Sequence, residues 1–213
     1  MQIVKYYFIG CACLFNFALF SGCAVIQQTK VPVNTVNLTQ AAAGENSPVL
    51  YTLTLPPYTL IGTASTQLIE VDFVGKKQEF IAQVEYSEDQ IALVGISTTG
   101  LPLFDVIWRN DAPITLNQYI PLPELDIEFI IADIQWTHWP LKQLEHSVVG
   151  NNIRVVEQHV GKNNETVDLV WQRRLLQNEQ IILEVNNYGE HFTLEHKLRN
   201  YTIKITPLNK DNK

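Results

Sequence analysis

Through five consecutive stretches between residues 48 and 109, VLYTLTL, QLIEVDFV, KQEFIAQVEY, DQIALVGIST and LPLFDVIWR, apolar and polar side chains alternate with period two. Period two is the strand repeat, because successive side chains of an extended chain point to opposite faces. The separators PPY, VGKKQ, SEDQ and TTGLP are of hairpin length and rich in turn formers. Parallel neighbours need a crossover of about a dozen residues or more, so antiparallel order is expected. The pattern returns beyond Asn151 in NIRVVEQHV, TVDLVWQ, QIILEVNNY, HFTLEHKL and YTIKITPL. About five strands before an interval and four or five after it make a sheet of ~10, which curls or closes rather than staying flat.

The interval itself changes period. Pro121-Leu122-Pro123 breaks the sheet, and residues 124–135, ELDIEFIIADIQ, place Leu125, Ile127, Ile130, Ile131 and Ile134 on one broad helical face. Glu124, Asp126 and Glu128 fall in the first turns, where they suit the helix dipole. Pro140 is tolerated at the first position of a second helix, which continues through residues 141–149 to a stop at Gly150. The insert 123–150 therefore reads as helix, bend and helix, with Trp136 and Trp139 at the bend. The fold class expected is mainly β with α: a strongly curved antiparallel half-barrel of about ten strands, its mouth covered by a helix-bend-helix lid. An apolar inner face beneath such a lid encloses a cavity.

Alternation also selects the inner face. In KQEFIAQVEY, Phe80, Ala82, Val84 and Tyr86 share one parity against Glu79, Ile81, Gln83 and Glu85, so the first set is expected inside. The same logic turns Ile91, Leu93 and Gly95 inward on the next strand. Phe80, Val84, Tyr86 and Leu93 are accordingly candidate cavity residues, joined from the insert by Ile130, Ile134, Trp136 and Trp139.

The first residues point to a compartment. Lys5 precedes an almost uninterrupted apolar run over residues 6–20, which closes on Leu19-Phe20-Ser21-Gly22-Cys23. This is the layout of a secretory signal peptide ending in a lipobox, and its apolar run is shorter than the ~20 residues of a membrane-spanning helix. On this reading residues 1–22 are removed, Cys23 is the lipidated first residue, 23–47 are a tether with room for one short element, 48–207 a single domain and 208–213 a tail. Cys11 and Cys13 leave with the signal, so Cys23 has no disulfide partner and serves as the anchor. Two or three acyl chains give stable attachment, and Ala24 in place of Asp favours the periplasmic face of the outer membrane. The formal net charge of −7, with no basic patch, argues against nucleic acid and against an electrostatic grip on anionic headgroups.

The residues ADIQWTHWPLKQL, with QVEYSEDQIALVGISTTGLPLFDVIW upstream and LRNYTIKI downstream, resemble a bacterial lipoprotein family known only as a domain of unknown function. Genes of that family often lie in aryl polyene biosynthesis clusters. The resemblance covers about residues 48–207, and its most specific motif is D-x-Q-x-x-x-W-P, here Asp133, Gln135, Trp139 and Pro140. The family is similar in fold to the lipoprotein receptor LolB and its periplasmic relative LolA, half-barrels whose lidded cavity holds acyl chains. The resemblance implies an apolar-ligand carrier. Trp136 and His138 stand at variable positions of the motif, so no role is carried over to them.

Trp136 and Trp139 read either as cavity wall and lid hinge or as aromatics that fix a helix corner in the core. Asp133 is expected to orient the bend through a backbone hydrogen bond, and Gln135 likewise. Each needs a partner, because burial without one costs about 1–3 kcal/mol. His138 invites an acid–base reading with Asp133 as its orienter, but five residues turn ~500° on a helix and the side chains diverge. His191 and His196 fall on opposite faces of a strand, so neither a metal nor a cofactor is expected. The function expected is non-catalytic: an outer-membrane lipoprotein that binds a lipid, acyl chain or polyene-like ligand for envelope transport or assembly. The alternative is a scaffold that binds other envelope biosynthesis or transport proteins.

Overall fold

The computed structural model of the chain describes residues 34–39, 47–121, 126–160 and 169–208. Two short strands come first, β1 (Thr35–Asn37) and β2 (Leu50–Thr52). A meander follows: β3 (Ala64–Phe73), β4 (Lys76–Tyr86), β5 (Gln90–Ile96), β6 (Pro102–Arg109) and β7 (Ala112–Gln118). Helices α1 (Ile127–His138) and α2 (Leu141–Ser147) interrupt it, and β8 (Val148–Val149) leads on. A second meander closes the chain: β9 (Ile153–His159), β10 (Trp171–Gln177), β11 (Gln180–Asn187), β12 (Phe192–His196) and β13 (Tyr201–Pro207).

The two meanders fuse into one ten-stranded sheet, ordered β7-β6-β5-β4-β3-β13-β12-β11-β10-β9, with the join made by β3 against β13. Every neighbouring pair is antiparallel. The edge strands β7 and β9 do not pair, so the sheet curves without closing into a barrel. Irregularities in register at Gly95/Ile96, Ile107/Arg109 and Leu175/Leu176 add local bend to the ordinary strand twist. This is the mainly β, half-barrel architecture that the alternation predicts.

On β4, Phe80, Ala82, Val84 and Tyr86 are buried, and on β5 so are Ile91 and Leu93, while Val94 is exposed. Gly95 lies opposite Phe104 in the ladder, and that ring lies across the glycine so closely that an added methyl would run into it. Phe104 in turn meets Phe80 edge-on at 5.6 Å. The glycine is what lets two phenylalanines share one layer of the concave face.

Several elements differ from expectation. VLYTLTL does not join the main sheet; only Leu50–Thr52 is a strand, and it pairs with β1 and β8 in a separate three-stranded sheet. Periodicity sets which residues are inside, not which sheet takes the strand. The unanticipated β7, mostly exposed along both faces, restores five strands to the first meander. The expected strand TVDLVWQ lies partly outside the described residues; the strand described there is WQRRLLQ, whose arginines hide its pattern. The first helix starts at Ile127 and runs past Thr137 to His138; Glu124 and Leu125 lie outside the described residues. The second helix ends at Ser147 instead of Gly150, because Val148 and Val149 pair with Tyr51 and Leu50.

The small sheet alters what the helices are. From Ile131 to Thr137 every residue of α1 is buried, as befits a helix covered on all sides. One side packs on the concave face of the large sheet and the other on β1 and β2, which bring Val36, Leu38, Tyr51 and Leu53 into the core. β1 falls within 23–47, the stretch read as a tether. Among the described residues no helix is long and apolar enough to cross a membrane.

A candidate ligand cleft beneath the first helix

The N-terminal half of α1 does not seat fully on the sheet and leaves a cleft of about 120 Å³. Ile69, Val71 and Phe73 of β3 and Phe80, Ala82 and Val84 of β4 form one wall, with Ile203 and Ile205 of β13 beside them and Leu93 behind. Phe129, Ile130, Asp133 and Ile134 form the roof, a single stripe of α1. Burial grades along β4: Val84 is 1% exposed, Phe80 is 9%, and Gln78 and Lys76 are open to solvent. The cleft is therefore closed near Val84 and open toward the β3–β4 turn. That turn places Val74 and Gly75 at φ 51° and 80°, the left-handed pair of a tight hairpin, and leaves Val74 70% exposed.

Charge is confined to the mouth. Lys76, Asp126 and Arg199 border it. Arg199 lays its guanidinium over the Phe129 ring at 3.4 Å, while its Nη1 and Nη2 both donate to Asp126 Oδ2 at 3.3 Å.

Asp133 sits in the roof, where the Tyr201 hydroxyl reaches its two carboxylate oxygens at 3.0 and 2.9 Å. Burial pushes the Asp133 carboxyl up to about 8, against the opposing pull of the Tyr201 bond and Arg199, so it holds a proton at neutral pH. The same burial, with Asp133 adding to it, raises the Tyr201 phenol. His196 packs between the rings of Tyr201 and Phe129 at 5.3 and 5.9 Å, and neither of its ring nitrogens has a hydrogen-bond partner among the described residues. Burial, then Arg199, pulls its imidazole down to about 4, leaving it neutral. At the closed end Gln67 Nε2 faces Ser65 Oγ at 3.1 Å and His138 Nε2 at 3.3 Å. His138 is likewise held down at about 4 by burial and by Arg173. The interior is thus apolar with neutral polar groups.

The other end of α1 is filled. Gln135 Oε1 accepts from the Tyr51 hydroxyl at 2.8 Å and from the Thr54 N–H at 3.0 Å, and its Nε2 donates to the Thr54 carbonyl at 2.9 Å. Trp139 Nε1 and Gln143 Nε2 both donate to Thr54 Oγ1, at 3.0 and 2.9 Å. The Trp139 ring meets Tyr86 at 5.8 Å and the Trp136 ring meets Tyr51 at 5.6 Å. Arg173, 4% exposed, donates from Nη1 to the Trp136 carbonyl at 2.6 Å and from Nε and Nη2 to Glu157 at 2.9 and 2.6 Å. A cation there complements the negative end of the helix, and Pro140 is the N-cap of α2, one residue before the first helical position where the sequence had placed it.

Of the residues singled out from sequence, Phe80, Val84, Leu93, Ile130 and Ile134 line the cleft, and Asp133 joins them. Tyr86, Trp136 and Trp139 are not among its lining residues; they fill the core beside it, because the small sheet closes that side. Asp133 finds a side-chain hydroxyl 68 residues away instead of the backbone of the bend. Gln135 does bond backbone, but that of Thr54. The bend follows His138, so it does not bring His138 back to Asp133. Lys76, Arg199, Tyr201 and the buried Arg173 were not foreseen; one charged or phenolic residue in a strand pattern carries no signal until its neighbours are known. Cys23 lies outside the described residues.

A model of the family described as a protein of unknown function (DUF3261) matches residues 64–209, so the chain belongs to that family. No curated protein matches the chain.

Proposed function

From membership in a family without an assigned activity, we propose that this protein is a carrier that shelters an apolar chain in the cleft beneath α1, and that lipidated Cys23 holds it at the periplasmic face of the outer membrane. One observation carries the reading: the space left between α1 and the sheet is walled by aliphatic and phenylalanine side chains and keeps its charges at the rim. An apolar chain moving from water into such a lining gains about 25 cal/mol per Å² buried. The protonated Asp133 supports this, because a neutral carboxyl spares the ligand an internal charge.

Exchange then takes place at the mouth beside the β3–β4 turn. The cleft of about 120 Å³ is below the ~300–1,000 Å³ usual for ligand sites, so loading widens it. The half-buried Ile130 marks the part of α1 with room to lift, whereas the bend is pinned at Thr54. Directionality comes from affinity differences between donor and acceptor, which for a carrier in aryl polyene or lipid assembly are other envelope proteins.

The experiment is native mass spectrometry of protein purified from a lipid-containing periplasm, followed by solvent extraction. A co-purifying lipid or polyene-like molecule, lost when Val84→Trp fills the closed end, is the expected result. A ligand-free protein, indifferent to that substitution and to added lipid, would instead favour the scaffold reading.

A further inference from the structure

The inward row of β3 runs Gln67, Ile69, Val71 and Phe73, all of which line the cleft. Three are apolar and the innermost is not. Gln67 is 3% exposed, with Val84 and Ile205 on the flanking strands at 1% and 4%, so an amide end without a partner there is costly. Its Nε2 is used, facing Ser65 Oγ at 3.1 Å and His138 Nε2 at 3.3 Å. Its Oε1 accepts no hydrogen bond among the described residues. Turning the amide over changes which atom is left, not that one end is left, since Ser65 and His138 can each donate or accept. Across the ladder from Gln67 stands Ala82, the smallest residue of the β4 row in the cleft, which leaves space beside the amide.

We propose that the cleft takes a single-chain ligand whose inner end carries a hydroxyl, and that the free end of the Gln67 amide is its hydrogen-bond partner. This rests on the carrier reading and names its ligand class. A charged inner end is disfavoured: Gln67, Ala82, Val84 and Ile205 line that end, and His138 behind Gln67 is held neutral by burial and by Arg173, so a charge would be buried unpaired. A purely hydrocarbon end would leave the amide without a partner. A hydroxyl meets both conditions, being uncharged and able to donate as well as accept. Asp133 does not compete for it, because its carboxyl and the Tyr201 hydroxyl already bond each other. From Gln67 to Phe73 the row covers about 20 Å at the usual strand rise, so the other end of a long chain lies toward the open mouth. A space of about 120 Å³ suits one chain rather than two side by side.

The test uses the full chain and two photolabels, hexadecanol with a diazirine beside the hydroxyl end and hexadecanol with it near the far end, the adducts being mapped by mass spectrometry. The first label is expected on closed-end residues such as Val84 and Ile134, the second on mouth residues such as Phe73 and Phe129. Unlabelled hexadecanol and 1-chlorohexadecane then compete with the label in wild type and in Gln67→Leu. The substitution should shift the ratio of their displacing concentrations about tenfold against the alcohol, as loss of one buried hydrogen bond predicts. The labelling pattern is read in wild type, so it decides the matter even where Gln67→Leu loosens the end of α1. A reversed or indifferent pattern, or a ratio that the substitution leaves unchanged, overturns the hydroxyl assignment and leaves the carrier standing. No cleft adduct from either label overturns both.

Discussion

At its C-terminal end α1 meets its surroundings through two tryptophans, a glutamine with three hydrogen bonds and a buried arginine on the Trp136 carbonyl. At its N-terminal end the same helix, over the same sheet, leaves a cleft and is tied by a 3.3 Å ion pair at the rim. The difference lies in what covers the outer side. β1 and β2 press the C-terminal half down, and Thr54, just past β2, is the point where Gln135, Trp139 and Gln143 converge. On the proposed carrier reading, the helix opens from the end that lies over the cleft.

The contrast breaks most readily at the filled end. Trp139→Ala should cost about 3–5 kcal/mol, the usual range for emptying a buried aromatic site, measured by urea unfolding. A loss near that of a surface change would mean that the bend is no anchor. Gln135→Leu should cost about 2–3 kcal/mol in the same assay, because the Thr54 N–H and carbonyl and the Tyr51 hydroxyl lose their partner. Gly95→Ala should cost about 1–3 kcal/mol by overpacking against the fully buried Phe104. If it proves neutral, the Phe80 and Phe104 layer has room that the closed wall of the cleft does not show.

At the loose end the sharpest probe is pH. The Asp133 carboxyl stands at about 8 in the fold against its ordinary 3.8, so the stability it contributes is full below pH 4 and lost as pH rises toward 8 and above. His138 and His196, lowered to about 4 from 6.5, work in the opposite sense: their contribution is present above pH 6.5 and lost as pH falls through 4. Comparing wild type with Asp133→Asn cancels the histidines. Wild type should lose stability relative to the variant between pH 5 and 8, by at most about 1.4 kcal/mol per pH unit, and parallel pH profiles would show that Asp133 is ionised. The smallest effect is expected for Ile130→Ala, about 1 kcal/mol, because a half-buried side chain over an open cleft leaves little new void.

How far the sequence reached can be judged from the two meanders. On β4 and β5 the parity of apolar residues identified the concave side, because each strand turns alternate side chains inward whatever its neighbour. On β10 that failed: Arg173 is an inward, buried residue, acceptable only because Glu157 and the Trp136 carbonyl receive its donors. β7 was missed because an edge strand exposed on both faces has little alternation to show. The motif residues Asp133, Gln135, Trp139 and Pro140 were recognisable as a unit, yet they divide between cleft and clamp, since Asp133 turns to Tyr201 while Gln135 and Trp139 turn to Thr54.

The sequence by itself determined the strand repeat, the antiparallel order, the helical interruption and the apolar inner stripe, because all four follow from local periodicity and from the reach of short turns. Only the tertiary structure decided that VLYTLTL leaves the main sheet to cover α1, that two tryptophans fill space instead of lining it, and that Lys76 and Arg199 share one mouth. Those outcomes depend on contacts between residues tens of positions apart, and periodicity within a single strand or helix carries no record of them.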